Sequence, residues 1–415
     1  MWEQKGSVLI ASYKWDKQKK IKHGKAKLYI YDLDHTVIVP TGGKKFSNSA
    51  DDWKFFKNAK KGIRAYNADP SHISFLVSNQ NGLNSEKRIQ IFKDKVEKVL
   101  KSLDVPIMLF AAIEKDIYRK PNDGIMRHHI VPVLQSLNVQ HIMAVTYVGD
   151  AAGRHGDFSG GDRKWLYNVK LYLQSNLSPP NLLFTGKAYF KTPEQMFLNG
   201  KPEPFAPNTI NIGKILTDAC TVNGKKIRIS QLNTSVDYLK PDHDDQEVIL
   251  TIGEPGCGKS QIAKQIADEW GYVSLSQDEH GPRNKVIQHM ERELKAGKSI
   301  IIDNTFPDTV SRSRYIKVVQ DYFKRSKKPV HIRALVINGA WTAAKRRAFA
   351  LHMNAVRMRM GGKTIPIVVY NVYRKKYMPP NETEGFTEIV NTKFLPRFTG
   401  PDHVLAFSQL TEIPR

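Results

Sequence analysis

The chain has 415 residues, more than one ordinary domain of roughly 100–200 residues, so two or three domains with separate cores are expected. Its 64 Lys and Arg against 40 Asp and Glu leave a formal net charge of +24, an excess that attracts polyanions and makes nucleic acid the first partner to consider. Two cysteines, Cys220 and Cys257, in different parts of the chain offer neither a disulfide framework nor a cysteine zinc site; no apolar run approaches the roughly 18 residues of a membrane span; and the start, MWEQKGSVLI, has too short an apolar stretch for a signal peptide, so secretion and membrane insertion are not expected.

Residues 1–26 form a basic, aromatic segment whose pattern fits either a strand pair or a solvated arm. From there the apolar clusters KLYIYDLD, ISFLVSNQ, IMLFAAIE and MAVTYVGD read as short buried strands. Between them, residues 85–102 predict an amphipathic helix, with Ile89, Phe92, Val96 and Val99 or Leu100 at three- and four-residue spacing. Strands alternating with helices imply an α/β domain over residues 27–200, built on a mostly parallel sheet with ligand groups at the carboxyl ends of its strands. Residues 201–245, punctuated by Pro202, Pro204, Pro207 and Pro241 and closed by an acidic run, read as a junction. Residues 246–415 open a second α/β series, with buried strands VILTIG, KSIIIDNT and VHIRALVI in a second parallel sheet.

The first candidate site lies where YIYDLDHTVI leaves a strand. If strand geometry continues, the period of two sends Asp32 and Asp34 to the same side. Paired carboxylates there can hold Mg²⁺, leave one oxygen free to attack phosphorus and use the second carboxyl to protonate the leaving oxygen. Three later residues supply what phosphoryl transfer further needs: the Ser78 hydroxyl after a strand, the Lys120 ammonium in YRKPN, and Asp150 at the end of VTYVGD as a further metal ligand.

The second site is GEPGCGKS, residues 253–260, which fits GxxxxGK[ST] between a strand and an amphipathic helix. Its loop, with Gly253, Gly256 and Gly258, offers amides to phosphates, Lys259 reaches the β- and γ-phosphates of ATP, and Ser260 coordinates Mg²⁺. Two later strand ends favour a kinase over a motor or switch. Asp278 in YVSLSQDEHG is positioned to take a proton from an attacking hydroxyl, and Asp303 stands in IIIDNT, with a Walker-B role as the competing reading. The arginine-dense run AAKRRAFALHMNAVRMRM suits a lid that clamps ATP, or a solvated basic face.

The first set of motifs resembles the haloacid-dehalogenase-like phosphohydrolases. That resemblance implies Asp32 as nucleophile, Asp34 as general acid/base, Ser78 and Lys120 as phosphate ligands and Asp150 as a Mg²⁺ ligand. One departure stands out: His35 occupies the position of the family's usual Gly in DxDGT, with Asp32, Asp34 and Thr36 kept. In order along the chain, YDLDHTVI, FLVSNQNG, YRKPNDG, YVGDAAGR and DFSGGDRKW, then GEPGCGKS, SQDEHG, IDNTFPD, HMNAVR and EGFTEIV resemble the polynucleotide 5′-kinase/3′-phosphatase family. The resemblance implies Asp278 as the kinase base, Asp303 at the 5′-end of the substrate, Arg357 and more weakly Arg346 on the ATP side, and Asp157 and Asp162 as a secondary metal- or phosphate-binding shell of the phosphatase.

With only about 26 residues before the first catalytic strand, no forkhead-associated domain is expected. The expected whole is a two-domain α/β enzyme, a haloacid-dehalogenase-like domain plus a P-loop kinase domain, that heals DNA or RNA ends with Mg²⁺ and ATP. It would work as a monomer alongside a ligase, in the nucleus or in a viral or cytoplasmic replication compartment, away from membranes. A small-molecule kinase/phosphatase fusion and a nucleic-acid-binding scaffold with decayed sites are the rival readings.

Overall fold

A computed structural model describes residues 2–18, 20–42, 47, 49–206, 210, 215, 221–222, 225–226, 236–392 and 398–413. It contains two compact units, residues 1–209 with 358–360 and 400–415, and residues 210–357 with 361–399. Among the described residues no helix is long and apolar enough to cross a membrane.

The first unit is built on a seven-stranded sheet. Its strands are β1 (Trp2–Lys5), β2 (Val8–Tyr13), β3 (Lys25–Tyr31), β6 (His72–Asn79), β7 (Ile107–Ala112), β8 (His141–Val148) and β9 (Leu183–Lys191), in the order β1-β2-β7-β6-β3-β8-β9. A short antiparallel pair, β4 (Ile38–Val39) and β5 (Lys54–Phe55), stands beside it. Pairing from β7 across to β9 is parallel, whereas β1 and β2 add antiparallel at one edge. Of the two readings open for the N-terminal segment, residues 2–13 therefore take the strand pair. The reason is visible in β2, whose Val8, Leu9, Ile10 and Ala11 are all buried.

Alternation along β3 builds a core on each face of the sheet. Leu28 and Ile30 join Phe75, Val145 and Trp165 on one side, and Tyr31 joins Leu76, Val96 and Leu109 on the other. The expected helix is present at Glu86–Leu103, opened by Ser85, whose hydroxyl accepts the Arg88 amide, and closed by Asp104 in a left-handed conformation. Its buried face carries Phe92, Val96, Val99 and Leu100, and also Lys95.

The end of the chain, read in sequence as part of the second domain, belongs to the first unit. Leu405 of the helix Pro401–Ser408 lies in the first unit's core. The Asn168 side-chain amide donates to the Leu410 carbonyl (2.8 Å) and accepts from the Leu410 amide (2.6 Å), and Lys164 pairs with Glu412 at 2.8 Å.

Most of the junction, including Pro207, lies outside the described residues, as does Cys220; within it β10 (Thr221–Val222) and β11 (Lys225–Lys226) pair antiparallel. The second unit's main sheet is wholly parallel. It comprises β12 (Gln246–Ile252), β13 (Val273–Ser276), β14 (Ile300–Asp303), β15 (Val330–Ile337) and β16 (Glu388–Thr392), in the order β13-β14-β12-β15-β16. Burial on both faces explains why its central strands are continuous apolar runs: Val248, Leu250 and Ile252 enter one core and Ile249 the other.

Two candidate active sites at strand ends

In the first unit β3 ends at Tyr31, so the strand geometry that would set Asp32 and Asp34 side by side does not continue. Asp32 is instead held by its amide, which donates to the Val148 carbonyl at the end of β8 (2.8 Å). The side chains of Asp32, Asp150 and Asp162 bring carboxylate oxygens within 4.8 Å of one another. Lys120 sits among them, its Nζ 2.6 Å from Asp32 Oδ1 and 2.8 Å from Asp162 Oδ1, and it also donates to the Val77 carbonyl and the Tyr147 hydroxyl. Backbone contacts fix Lys120: its amide donates to Asn79 Oδ1 and its carbonyl accepts from Asn79 Nδ2. Ser78, one residue earlier on β6, is buried, and its hydroxyl accepts from Gln80.

Burial pushes the Asp32 carboxyl well above the usual carboxylate range, against the pull of Lys120. Burial and the neighbouring Asp162 likewise raise Asp150, to about 6. Burial alone would push the Lys120 ammonium down, but Asp162 and Asp32 outweigh it and the net shift is upward. Three carboxylates around one ammonium leave an excess of two negative charges when all are ionised. A divalent cation would neutralise that excess, and its oxygen donors suit a hard ion such as Mg²⁺.

Asp34 lies outside this cluster. Gln80 donates to its Oδ2 at 2.6 Å and Lys95 to its Oδ1 at 3.2 Å. The third carboxylate of the cluster is Asp162, on the helix Gly161–Leu173, which also accepts from the Tyr147 hydroxyl and the Ala151 amide. Asp157, grouped with it in the sequence, is spent on Arg154 and on the amides of Ala152 and Arg154. Thr36 exchanges hydrogen bonds with Asp150, receiving its amide at 3.1 Å. His35 adopts φ 59°, the left-handed conformation that explains a glycine at this position, and its charge pulls the Asp150 pKa down. Lys95, Gln80 and Tyr147 were missed in the sequence. Lys95 had a signal, since a lysine three residues after Phe92 and four before Val99 falls on the buried stripe.

In the second unit residues 253–260 link β12 to the helix Lys259–Trp270. Gly256 and Gly258 take φ 73° and 99°, which side chains resist, and a side chain at Gly253 would press on Cys257 Sγ at 2.7 Å. Lys259 Nζ folds back onto the Gly253 and Glu254 carbonyls, at 3.1 and 2.8 Å. Ser260 is the second residue of that helix. Burial raises the Glu254 carboxyl, while Arg346, Arg347, Arg374 and Lys259 pull it down. A phosphate oxygen at the loop would meet the same converging positive field.

Asp303 ends β14 and is in register with Thr251 on one side and Ser276 on the other, so it stands between the phosphate loop and the end of β13. Asp278, two residues past Ser276, is exposed on the one-turn helix Gln277–His280, whose start Ser276 caps. Gln277 accepts from the Asn304 side chain at 3.1 Å, joining these two strand ends. Arg357 is exposed on the helix Ala343–Arg359 and acts electrostatically on Tyr370. The Tyr370 hydroxyl in turn lies beside Gly256. Arg346, Arg347 and Arg374 are therefore the arginines whose charge the loop carboxylate feels directly.

The family described as "Polynucleotide kinase 3 phosphatase" matches residues 27–176. A "Bifunctional polynucleotide phosphatase/kinase" of Schizosaccharomyces pombe is 29% identical over 396 residues, spanning 95% of this chain and 84% of that protein. A "Putative bifunctional polynucleotide phosphatase/kinase" of Acanthamoeba polyphaga mimivirus is 28% identical over 401 residues, 90% of this chain and 86% of its own. A "Polynucleotide 3'-phosphatase" of Saccharomyces cerevisiae is 26% identical over 201 residues, 36% of this chain and 84% of its own.

Proposed function

Because the chain belongs to the polynucleotide phosphatase/kinase family, we propose that its first unit removes 3′-phosphates from DNA or RNA ends and its second phosphorylates 5′-hydroxyls with ATP. The observation that carries this reading is that one chain holds a buried carboxylate cluster around Lys120 and a phosphate loop, each at the carboxyl ends of the parallel strands of its own sheet.

In the phosphatase reaction Asp32 attacks phosphorus and the bond from phosphorus to the 3′-oxygen breaks. Asp34, fixed by Gln80 and Lys95, gives that oxygen its proton. A water then attacks the aspartyl-phosphate, passing its proton to Asp34 and restoring Asp32. Lys120 and Ser78 hold phosphate oxygens, and Asp32, Asp150 and Asp162 would hold the divalent cation. Mg²⁺ bound there would let carboxylate and phosphate approach by offsetting their charge.

In the kinase reaction the 5′-oxygen attacks the γ-phosphorus of ATP, its proton goes to Asp278, and ADP leaves. Lys259 must swing from the loop carbonyls to the phosphates, with Ser260 supplying a hydroxyl to the nucleotide's metal ion. Asp303 lies on the path of the incoming 5′-end, and Arg357, Arg346, Arg347 and Arg374 supply charge on the nucleotide side. The +24 charge favours a polyanionic substrate over a small metabolite, and the reaction products are ends that a ligase can join.

A gapped duplex carrying a 5′-hydroxyl and a 3′-phosphate, compared with single-stranded RNA and nucleoside monophosphates, tests this reading. Both ends of a polynucleotide should be processed, with turnover on mononucleotides far lower. Equal turnover on mononucleotides would overturn it in favour of a small-molecule kinase/phosphatase.

A further inference from the structure

At the amino ends of β12 and β15, opposite the ends that carry the phosphate loop, three metal-ligating side chains meet. His243 and Asp245 come from the turn that leads into β12, and His331 is the second residue of β15. Each offers a ligand atom within 4.8 Å of the others. His331 Nε2 is 3.3 Å from Asp245 Oδ2, and the His243 and His331 rings stack with centroids 3.8 Å apart and planes 20° from parallel. His243 keeps its buried Nδ1 without a hydrogen-bond partner. A buried ring nitrogen left so is destabilising unless a partner arrives.

We propose that His243, Asp245 and His331 form a zinc site that fastens the entry turn of β12 to β15. Two imidazoles and one carboxylate are a donor set for a borderline ion such as Zn²⁺, whereas Mg²⁺ and Ca²⁺ prefer oxygen ligands throughout. Ligands about 2.0–2.1 Å from a tetrahedral zinc stand about 3.3 Å from one another, which is already the His331–Asp245 separation. The side-by-side rings require one imidazole to rotate so that both nitrogens aim at one ion, with water as fourth ligand. Further carboxylates on the same turn, Asp242 and Asp244, add negative potential on the exposed side.

Glu247 is in register with His331, and it pairs with Arg333 at 2.6 Å and accepts from the Tyr272 hydroxyl at 2.6 Å. Because the site lies at the far end of the strands from the phosphate loop, the ion would act on stability and leave phosphoryl transfer alone.

The test is titration of the chelator-stripped full chain with Co²⁺ and then Zn²⁺, in excess Mg²⁺ so that acidic sites are filled. One equivalent of Co²⁺ should give visible absorption bands that Zn²⁺ abolishes, and Zn²⁺ should raise the melting temperature. His331→Gln and His243→Gln should each weaken binding at least about 100-fold, and the exposed Asp245→Asn should weaken it about 10-fold. Each variant should melt at the parent's metal-free temperature, separating lost ligation from failed folding. Absence of a zinc-displaceable equivalent in the parent, or the same equivalent retained in Asp245→Asn and both histidine variants, would overturn the proposal.

Discussion

Lys95 and Gln80 hold one oxygen each of Asp34, so the proposed acid/base enters the reaction already oriented, outside the carboxylate cluster. Lys95→Met keeps the aliphatic stem and removes the ammonium. Phosphatase kcat should fall about 10–100-fold with KM little changed and kinase turnover unaffected, because orientation of a general acid acts in the transition state. Steady-state rates on both ends of one substrate check this; an unchanged phosphatase kcat would remove Lys95 from the mechanism. Asp150, with a pKa raised to about 6, is ionised above that pH and protonated below it. A proton and a metal ion compete for the same oxygens, so the Mg²⁺ concentration for half-maximal phosphatase rate should rise about tenfold per unit as pH falls below about 6. Magnesium titrations between about pH 5 and 8 measure it, and a flat dependence would contradict the assignment. His35 was legible as a departure from the family pattern, and its left-handed backbone gives the departure a physical meaning. Asp162 was legible only together with Asp157 as a secondary shell; that it alone of the two joins the cluster was not, because only the fold brings the start of the helix Gly161–Leu173 against Lys120.

The turn after β8 shows how closely elements must approach to build the phosphatase site. A side chain at Gly149 would collide with Asp162 Oδ2, the oxygen held by the Ala151 amide. Gly149→Ala should therefore displace Asp162 from Lys120 and cut phosphatase turnover by at least about 10-fold while the second unit's kinase stays active; a normal phosphatase would show that the helix start yields without consequence. The parallel strands and the helix Glu86–Leu103 were legible because burial on one or two faces leaves an apolar run or a stripe that local periodicity records. The C-terminal segment was not: Asn168 and Leu410, which hold each other through two hydrogen bonds, are 242 residues apart, and no local pattern announces such a partner. The edge pair β1 and β2 is ambiguous in sequence for a related reason, since lysines and aromatics there suit a solvated arm as well as a half-buried hairpin.

For the whole molecule the +24 charge predicts a salt-dependent attraction for polyanions. Each phosphate neutralised on a duplex contributes about −0.9 to the slope of log affinity against log salt, so a gapped duplex should bind far more weakly at about 200 mM than at about 50 mM salt, and a mononucleotide should change little. A flat duplex response would make the charge a solvated surface. The central claim is that one chain carries two independent phosphoryl-transfer sites, each with its own essential residues. It is tested most directly by assaying Asp32→Asn and Lys259→Ala side by side on a gapped duplex bearing a 5′-hydroxyl and a 3′-phosphate. Asp32→Asn should abolish 3′-phosphate release and keep 5′ phosphorylation within a few-fold of the parent, and Lys259→Ala should do the reverse. Phosphate release by Asp32→Asn at the parental rate, or loss of both activities in either folded variant, would contradict it.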